Sequence, residues 1–224
     1  QLERAYQLEL AEQLMESGTS LADPARFDQR GELSAGTDNF IDTNCIFEGN
    51  VTIGSNVSIG PNCCIINSTI GNDVEILANT IIDSSEVGDS AVIGPFARIR
   101  PGTELAEHTK VGNFVETKKS QVGKGSKINH LSYVGDSELG ENVNIGAGTI
   151  TCNYDGVEKH KTLLGDGVFV GSNSTLVAPI TVGNKGFIAA GSTITTKVPN
   201  DSLAVGRGKQ RNIKGWQRPI KRED

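Results

Sequence analysis

Aliphatic residues return every six positions along most of this chain, usually followed by Gly. From Leu164 the run is Leu164, Val170, Leu176, Val182, Ile188 and Ile194. Earlier runs read Ile41, Phe47, Ile53, Ile59, Ile65, then Ile70, Ile76, Ile82, then Val87, Ile93, Ile99, Leu105, Val111. They continue as Val122, Ile128, Val134 and Leu139, Ile145. A step of six matches neither the helical repeat of about 3.6 nor the alternation of about 2 along a strand. It is the hexapeptide pattern of a parallel β-helix, in which each hexad is a short strand and a corner.

Three hexads add up to 17 or 18 residues, as from Ile53 to Ile70, Val87 to Leu105 and Val122 to Leu139. Three strands per coil predict a triangular prism with coils about 4.8 Å apart. The fifth hexad position is small: Val57, Cys63, Val74, Thr80, Ala91, Ala97, Thr109, Val115, Ser126, Val143, Ser174. First and fifth positions are therefore expected to point inward. The 27 glycines and the 5% of aromatics suit many tight corners rather than a large aromatic core.

Residues 1–34 read as a helical arm and connector: Leu2, Tyr6, Leu10 and Leu14 recur at i+4, and Gly18 is a stop. Residues 35–200 carry the repeat, and 201–224 form a tail rich in Arg and Lys, including Arg207, Lys221 and Arg222. The first residue is Gln1 rather than Met, so an upstream part is expected. A net charge of −6 gives no reason to expect nucleic acid. With no run of 18 apolar residues, no membrane partner is expected, and with no signal-peptide pattern the expected location is cytoplasmic. Cys45, Cys63, Cys64 and Cys152 make no C-x-x-C pair, so no metal is expected.

One coil is too long. Leu139 to Leu164 spans 25 residues, so the surplus must leave the prism as a loop within 151–161. A long loop on a rigid solenoid commonly carries function.

Register then places chemistry. Pro95, Asn113, His130, Ala147, Ser172 and Ala190 share one column, small after His130, which predicts a shallow groove about 14 Å long. Small residues are also ordinary in such prisms. Arg100 stands one coil below Lys118, and like charges at about 5 Å repel unless an anion lies between them. A phosphate or carboxylate site satisfies that register, as do two side chains splayed into water. Glu116 and Tyr133 stack at the adjoining corner. His130 is a candidate base near neutral pH, with Glu116 as a candidate orienting acid.

The stretches Gly94-Pro95-Phe96-Ala97-Arg98-Ile99-Arg100-Pro101-Gly102, Val111-Gly112-Asn113-Phe114-Val115-Glu116 and Asn144-Ile145-Gly146-Ala147-Gly148-Thr149-Ile150-Thr151-Cys152-Asn153-Tyr154-Asp155-Gly156 resemble a known family. It is the bacterial bifunctional N-acetylglucosamine-1-phosphate uridyltransferase/glucosamine-1-phosphate N-acetyltransferase, and the resemblance is to its C-terminal half. It implies a left-handed β-helix, against the usual crossover hand. It also implies a homotrimer with sites between subunits, fusion to an N-terminal nucleotidyltransferase domain, and acetyl transfer from acetyl-CoA to glucosamine 1-phosphate. That step belongs to UDP-N-acetylglucosamine biosynthesis, which feeds peptidoglycan and lipopolysaccharide. By position the resemblance assigns His130 as general base and Arg100, Lys118, Tyr133 and Asn144 as sugar-phosphate contacts. It assigns Ala147, Asn153, Tyr154, Ser172, Ala190 and Arg207 as acetyl-CoA contacts, and Lys159 as a loop lysine reaching a neighbour's substrate. Competing readings are a γ-carbonic-anhydrase-type hydratase, for which the three histidines are badly spaced, a non-catalytic scaffold, and a hexapeptide-repeat O-acyltransferase.

Overall fold

The computed structural model describes residues 1–219; Lys221 and Arg222 of the basic tail lie outside the described residues. The chain forms a left-handed parallel β-helix of about ten turns behind one α-helix, Leu2–Glu16. Every hexad-leading residue named above is buried, and so is every fifth-position residue. The two sets fill the prism from opposite ends of each short strand. Each fully buried Ile or Leu contributes about 1.5–3 kcal/mol by leaving water.

Strands pair in parallel with the strand one coil on, so the inward residues form continuous columns. One column runs Ile93, Val111, Ile128, Ile145, Val170, Ile188. The first face is an eleven-stranded ladder from Thr19–Leu21 to Leu203–Ala204. The other two faces join into one sheet, because Phe27–Ala35 and Cys45–Ile53 run unbroken round a corner at Gly31 and Gly49. A side chain at Gly31 would collide with the Gly49 backbone, so only glycine lets these strands stack there.

The ladder extends beyond the repeat at both ends. The stretch expected to be a connector carries strands Thr19–Leu21 and Phe27–Ala35, and Leu203–Ala204 pairs with Phe187–Ile188 inside the expected tail. The helix also buries a different face from the expected Leu2/Tyr6 stripe. Leu2 and Tyr6 are exposed, while Gln7, Ala11 and Leu14 are buried. Gln7 Nε2 donates to the Gln29 carbonyl at 2.9 Å, and Gln7 Oε1 accepts from the Gln29 N–H at 2.8 Å. Its amide thus satisfies a stretch of an otherwise open sheet edge, and a polar residue is selected for the position. Cys45 and Cys63 are free, buried thiols donating to the Gly60 and Leu77 carbonyls at 3.2 and 3.3 Å.

The corner between the first and second faces changes character along the prism. In early coils it is held by Asn44, Asn62 and Asn79 at φ near +60°, with Asn44 Nδ2 donating to Asn62 Oδ1 at 2.9 Å. Asparagine tolerates this left-handed conformation. In the next coils the same corner holds Phe96, Phe114 and Leu131 at φ +56°, +55° and +47°. Their side chains are exposed, and the two phenylalanine rings stack at 5.3 Å. Bulky residues adopt this backbone only at a cost of about 1 kcal/mol or more each.

Candidate functional site

His130 ends strand Lys127–His130 on the first face, directly opposite Asn113 at the end of Lys110–Asn113. The register is fixed by backbone: Leu131 N–H donates to the Asn113 carbonyl at 3.0 Å. It also needs Gly112, where any Cβ would enter the Asn129 backbone. The result is a 2.9 Å hydrogen bond between His130 Nδ1 and Asn113 Oδ1. Glu116, the acid expected to orient His130, instead accepts from Arg100 Nη1 at 2.6 Å. The reason is register: Glu116 and Arg100 share the second face on neighbouring coils, whereas His130 lies across the corner at Leu131.

Across that corner, Arg100 and Lys118 occupy adjacent coils, as the Arg100 N–H to Thr117 carbonyl bond of 2.9 Å requires. Like-charge stacking alone is not diagnostic here. Lys110 stacks on Lys127, and Glu86 on Glu104, with the same spacing. What separates Arg100/Lys118 is a third cation. The hydrogen-bonding contact with Lys159 chiefly holds Lys118 below the ordinary lysine value, with desolvation and the charges of Lys159 and Arg100 adding to it and Asp136 opposing. Three cations thus converge on Glu116 and Asp136, an arrangement that favours a multivalent anion. Tyr133 lies in register with Glu116, and its phenol covers Gly135, which faces Lys118 without a side chain.

The surplus loop is a folded hairpin. Asn153 is buried and donates to Asp136, His160 N–H donates to the Asn153 carbonyl at 2.8 Å, and Tyr154 bridges Lys159 in antiparallel fashion. At the tip, Asp155 Oδ1 accepts from Val157 and Glu158 N–H at 2.8 and 2.7 Å, and Oδ2 meets His160 Nε2 at 2.7 Å. His160 first, then those two N–H groups, hold the Asp155 carboxyl far below the usual carboxylate range. The hairpin delivers Lys159 to Lys118 of its own chain.

Beyond His130 the first face carries Ala147, Ser172 and Ala190, each following an inward residue of the Ile145, Val170, Ile188 column. At its end Arg207 passes over Gly191, its Cδ 4.0 Å from where a Cβ would stand. Asn144 sits elsewhere on this face, in register between Lys127 and Phe169. The structure therefore brings together Arg100, Glu116, Lys118, Tyr133 and Lys159 on one face, and His130, Ala147, Ser172, Ala190 and Arg207 on another. It leaves Asn144 apart from the cations. The residue not singled out from the sequence as a site residue is Asn113; its place beside His130 in one column was the available signal.

A curated relative, the bifunctional protein GlmU of Marinobacter nauticus, is 65% identical over 221 residues, covering 99% of this chain. This chain belongs to the GlmU family. The GlmU of Pseudoalteromonas atlantica is 54% identical over 222 residues, again 99% of the chain. The chain spans about half the length of these GlmU relatives, 49% of each. Residues 31–113 match the GMPPB C-terminal domain family, and 162–196 match the hexapeptide repeat of succinyl-transferase. Among solved structures, the UDP-N-acetylglucosamine acyltransferase of Francisella novicida aligns with 80% of this chain and 65% of its own, at 19% identity and TM-score 0.49. Among the described residues, no helix is long and apolar enough to cross a membrane.

Proposed function

We propose that this chain is a glucosamine-1-phosphate N-acetyltransferase. The observation that carries this reading is a hydrogen-bonded histidine on one side of a prism corner and a three-cation cluster on the other. Arg100, Lys118 and Lys159 suit a sugar phosphate, and Tyr133 offers its phenol to the same substrate. His130 takes the proton as the sugar amine attacks the thioester carbonyl. The new C–N bond forms, the carbonyl oxygen becomes an oxyanion, and the C–S bond then breaks. The thiol of CoA leaves carrying one proton, and N-acetylglucosamine 1-phosphate is released. Acetyl-CoA supplies the acetyl group, its thin pantetheine arm fitting the run Ala147, Ser172, Ala190, with Arg207 meeting its phosphates. Asn153 and Tyr154 contribute from the hairpin base.

The faces bearing His130 and the cations meet at a convex edge, so a small substrate touching both needs a second wall. A homotrimer with sites between subunits supplies one. In it Asn144, remote from the cations of its own chain, serves a site shared between prisms. Fusion to an upstream nucleotidyltransferase, a cytoplasmic setting and a place in UDP-N-acetylglucosamine synthesis for peptidoglycan and lipopolysaccharide complete the reading.

The test is CoA release from acetyl-CoA and glucosamine 1-phosphate. No release above background refutes the activity. His130→Ala is expected to lower turnover by about 10²–10⁴ with an unchanged circular-dichroism spectrum; near-parental turnover would place the base elsewhere.

A further inference from the structure

We propose that Asn113 is a positioning residue: it fixes His130 in the tautomer protonated at Nδ1, leaving Nε2 free to take a proton. This rests on the reading of His130 as the base.

An amide oxygen can only accept a hydrogen bond. With Asn113 Oδ1 at 2.9 Å, the imidazole proton belongs on Nδ1, and Nε2 keeps its lone pair. The amide turned over would present its NH₂ to Nδ1 and leave the proton on Nε2, which abolishes the base. The orientation of one amide therefore decides whether this histidine can act.

The surroundings leave Asn113 without a competitor. Among the described residues, the His130 ring makes this one hydrogen bond. Pro95, one coil before Asn113, and Ala147, one coil after His130, offer no polar side-chain atom in the column. Ser132 Oγ, two residues on, donates to the His130 carbonyl at 2.8 Å rather than to the ring. Glu116 is engaged by Arg100. The pair is also held from below. Asn113 and His130 end strands in direct register, Asn113 is half-buried, and Gly112 allows the two coils their close approach. A bond between two side chains on adjacent rungs of one ladder needs no further ordering when substrate arrives, which is what a preset tautomer requires.

The partner is an uncharged amide, so it dictates where the proton sits without stabilising the imidazolium as an anion would. Replacing the amide by a carboxylate keeps the acceptor and adds the charge; replacing it by an aliphatic side chain removes both. These two changes separate tautomer control from mere packing.

The experiment is long-range ¹H–¹⁵N correlation NMR of the His130 ring in the full chain, above the pH at which the ring titrates, combined with steady-state kinetics. The unsubstituted protein is expected to show Nδ1–H with Nε2 unprotonated. Asn113→Leu is expected to move the ring toward Nε2–H and to lower kcat about 10- to 100-fold, short of the full loss on removing the base, with KM for both substrates within about twofold. Asn113→Asp is expected to retain Nδ1–H and restore most of kcat. An Nε2–H ring in the unsubstituted protein overturns the proposal, whether or not either variant folds. So does an unchanged tautomer in Asn113→Leu. Full activity in His130→Ala, with the expected tautomer still present, would instead refute the base assignment and leave the amide's control of the ring standing.

Discussion

Gly112→Ala adds a single methyl group at the foot of the Asn113–His130 pair. The added Cβ would lie 2.7 Å from the Asn129 carbonyl carbon and 3.0 Å from its Cα, and closer still to its oxygen. Ordinary carbon–carbon contact begins near 3.5 Å, so the two coils must separate locally by about 0.8 Å. All three obstructing atoms are backbone, so no rotamer change relieves the clash. The ladder bonds on either side, Lys110 N–H to Ser126 carbonyl at 2.9 Å and Leu131 N–H to Asn113 carbonyl at 3.0 Å, are stretched toward breaking. Overpacking of this kind costs about 1–3 kcal/mol. Moving a 2.9 Å side-chain bond by the same amount carries it past the length at which it counts as one. The expectation is a lower urea midpoint together with a fall in turnover of about tenfold or more. Gly208→Ala is the control, because an added Cβ there meets nothing within 4 Å; it should change stability by no more than about 0.5 kcal/mol. A Gly112→Ala protein with parental midpoint and turnover would show that the coil spacing does not position the histidine.

Lys159→Met removes the chief cause of the depressed Lys118 value, so Lys118 should titrate higher, and sugar-phosphate KM should rise with a weaker salt dependence. Unchanged KM at low ionic strength would contradict the anion-site reading. Arg100→Ala should also raise that KM and leave Glu116 without its 2.6 Å partner; an unaltered KM would remove Arg100 from the site. The depressed Asp155 carboxyl stabilises the hairpin above the unfolded carboxylate value, and that contribution is lost only as pH falls through the lower folded value. Hydrogen exchange at Val157 and Glu158 should therefore stay slow down to about pH 4. Loosening already near neutral pH would refute this account.

The prism was legible because its core is one-dimensional. Each inward residue meets the next coil's equivalent, so a single period identified Ile93, Val111 and Ile128 as neighbours across long stretches of chain. The ends were not legible for the same reason. Strand Phe27–Ala35 lies at an edge where a helix replaces the next coil, and Gln7 rather than an aliphatic residue answers its open hydrogen bonds. Column positions in the site could be counted, so Arg100 over Lys118 and Glu116 beside Tyr133 followed from spacing. Side-chain choice could not. Glu116 faces both a cation in its own column and a histidine round a corner, and only geometry shows that Arg100 takes it. The hairpin's fold depends on Asp155 binding local N–H groups, which carry no periodic signal.

The step of 17 residues from Asn113 to His130, and again to Ala147, makes the chain behave like an odometer. A residue inserted or lost between those positions turns every later wheel relative to every earlier one and parts the amide from the imidazole. A whole coil added or removed below Pro95 returns all wheels to their settings. The hairpin at 153–160 is disengaged from the count, because it leaves the prism and returns to the same column at Leu164. Length in this molecule is therefore quantised nearly everywhere and free at one place, and that place is where Lys159 reaches the anion cluster.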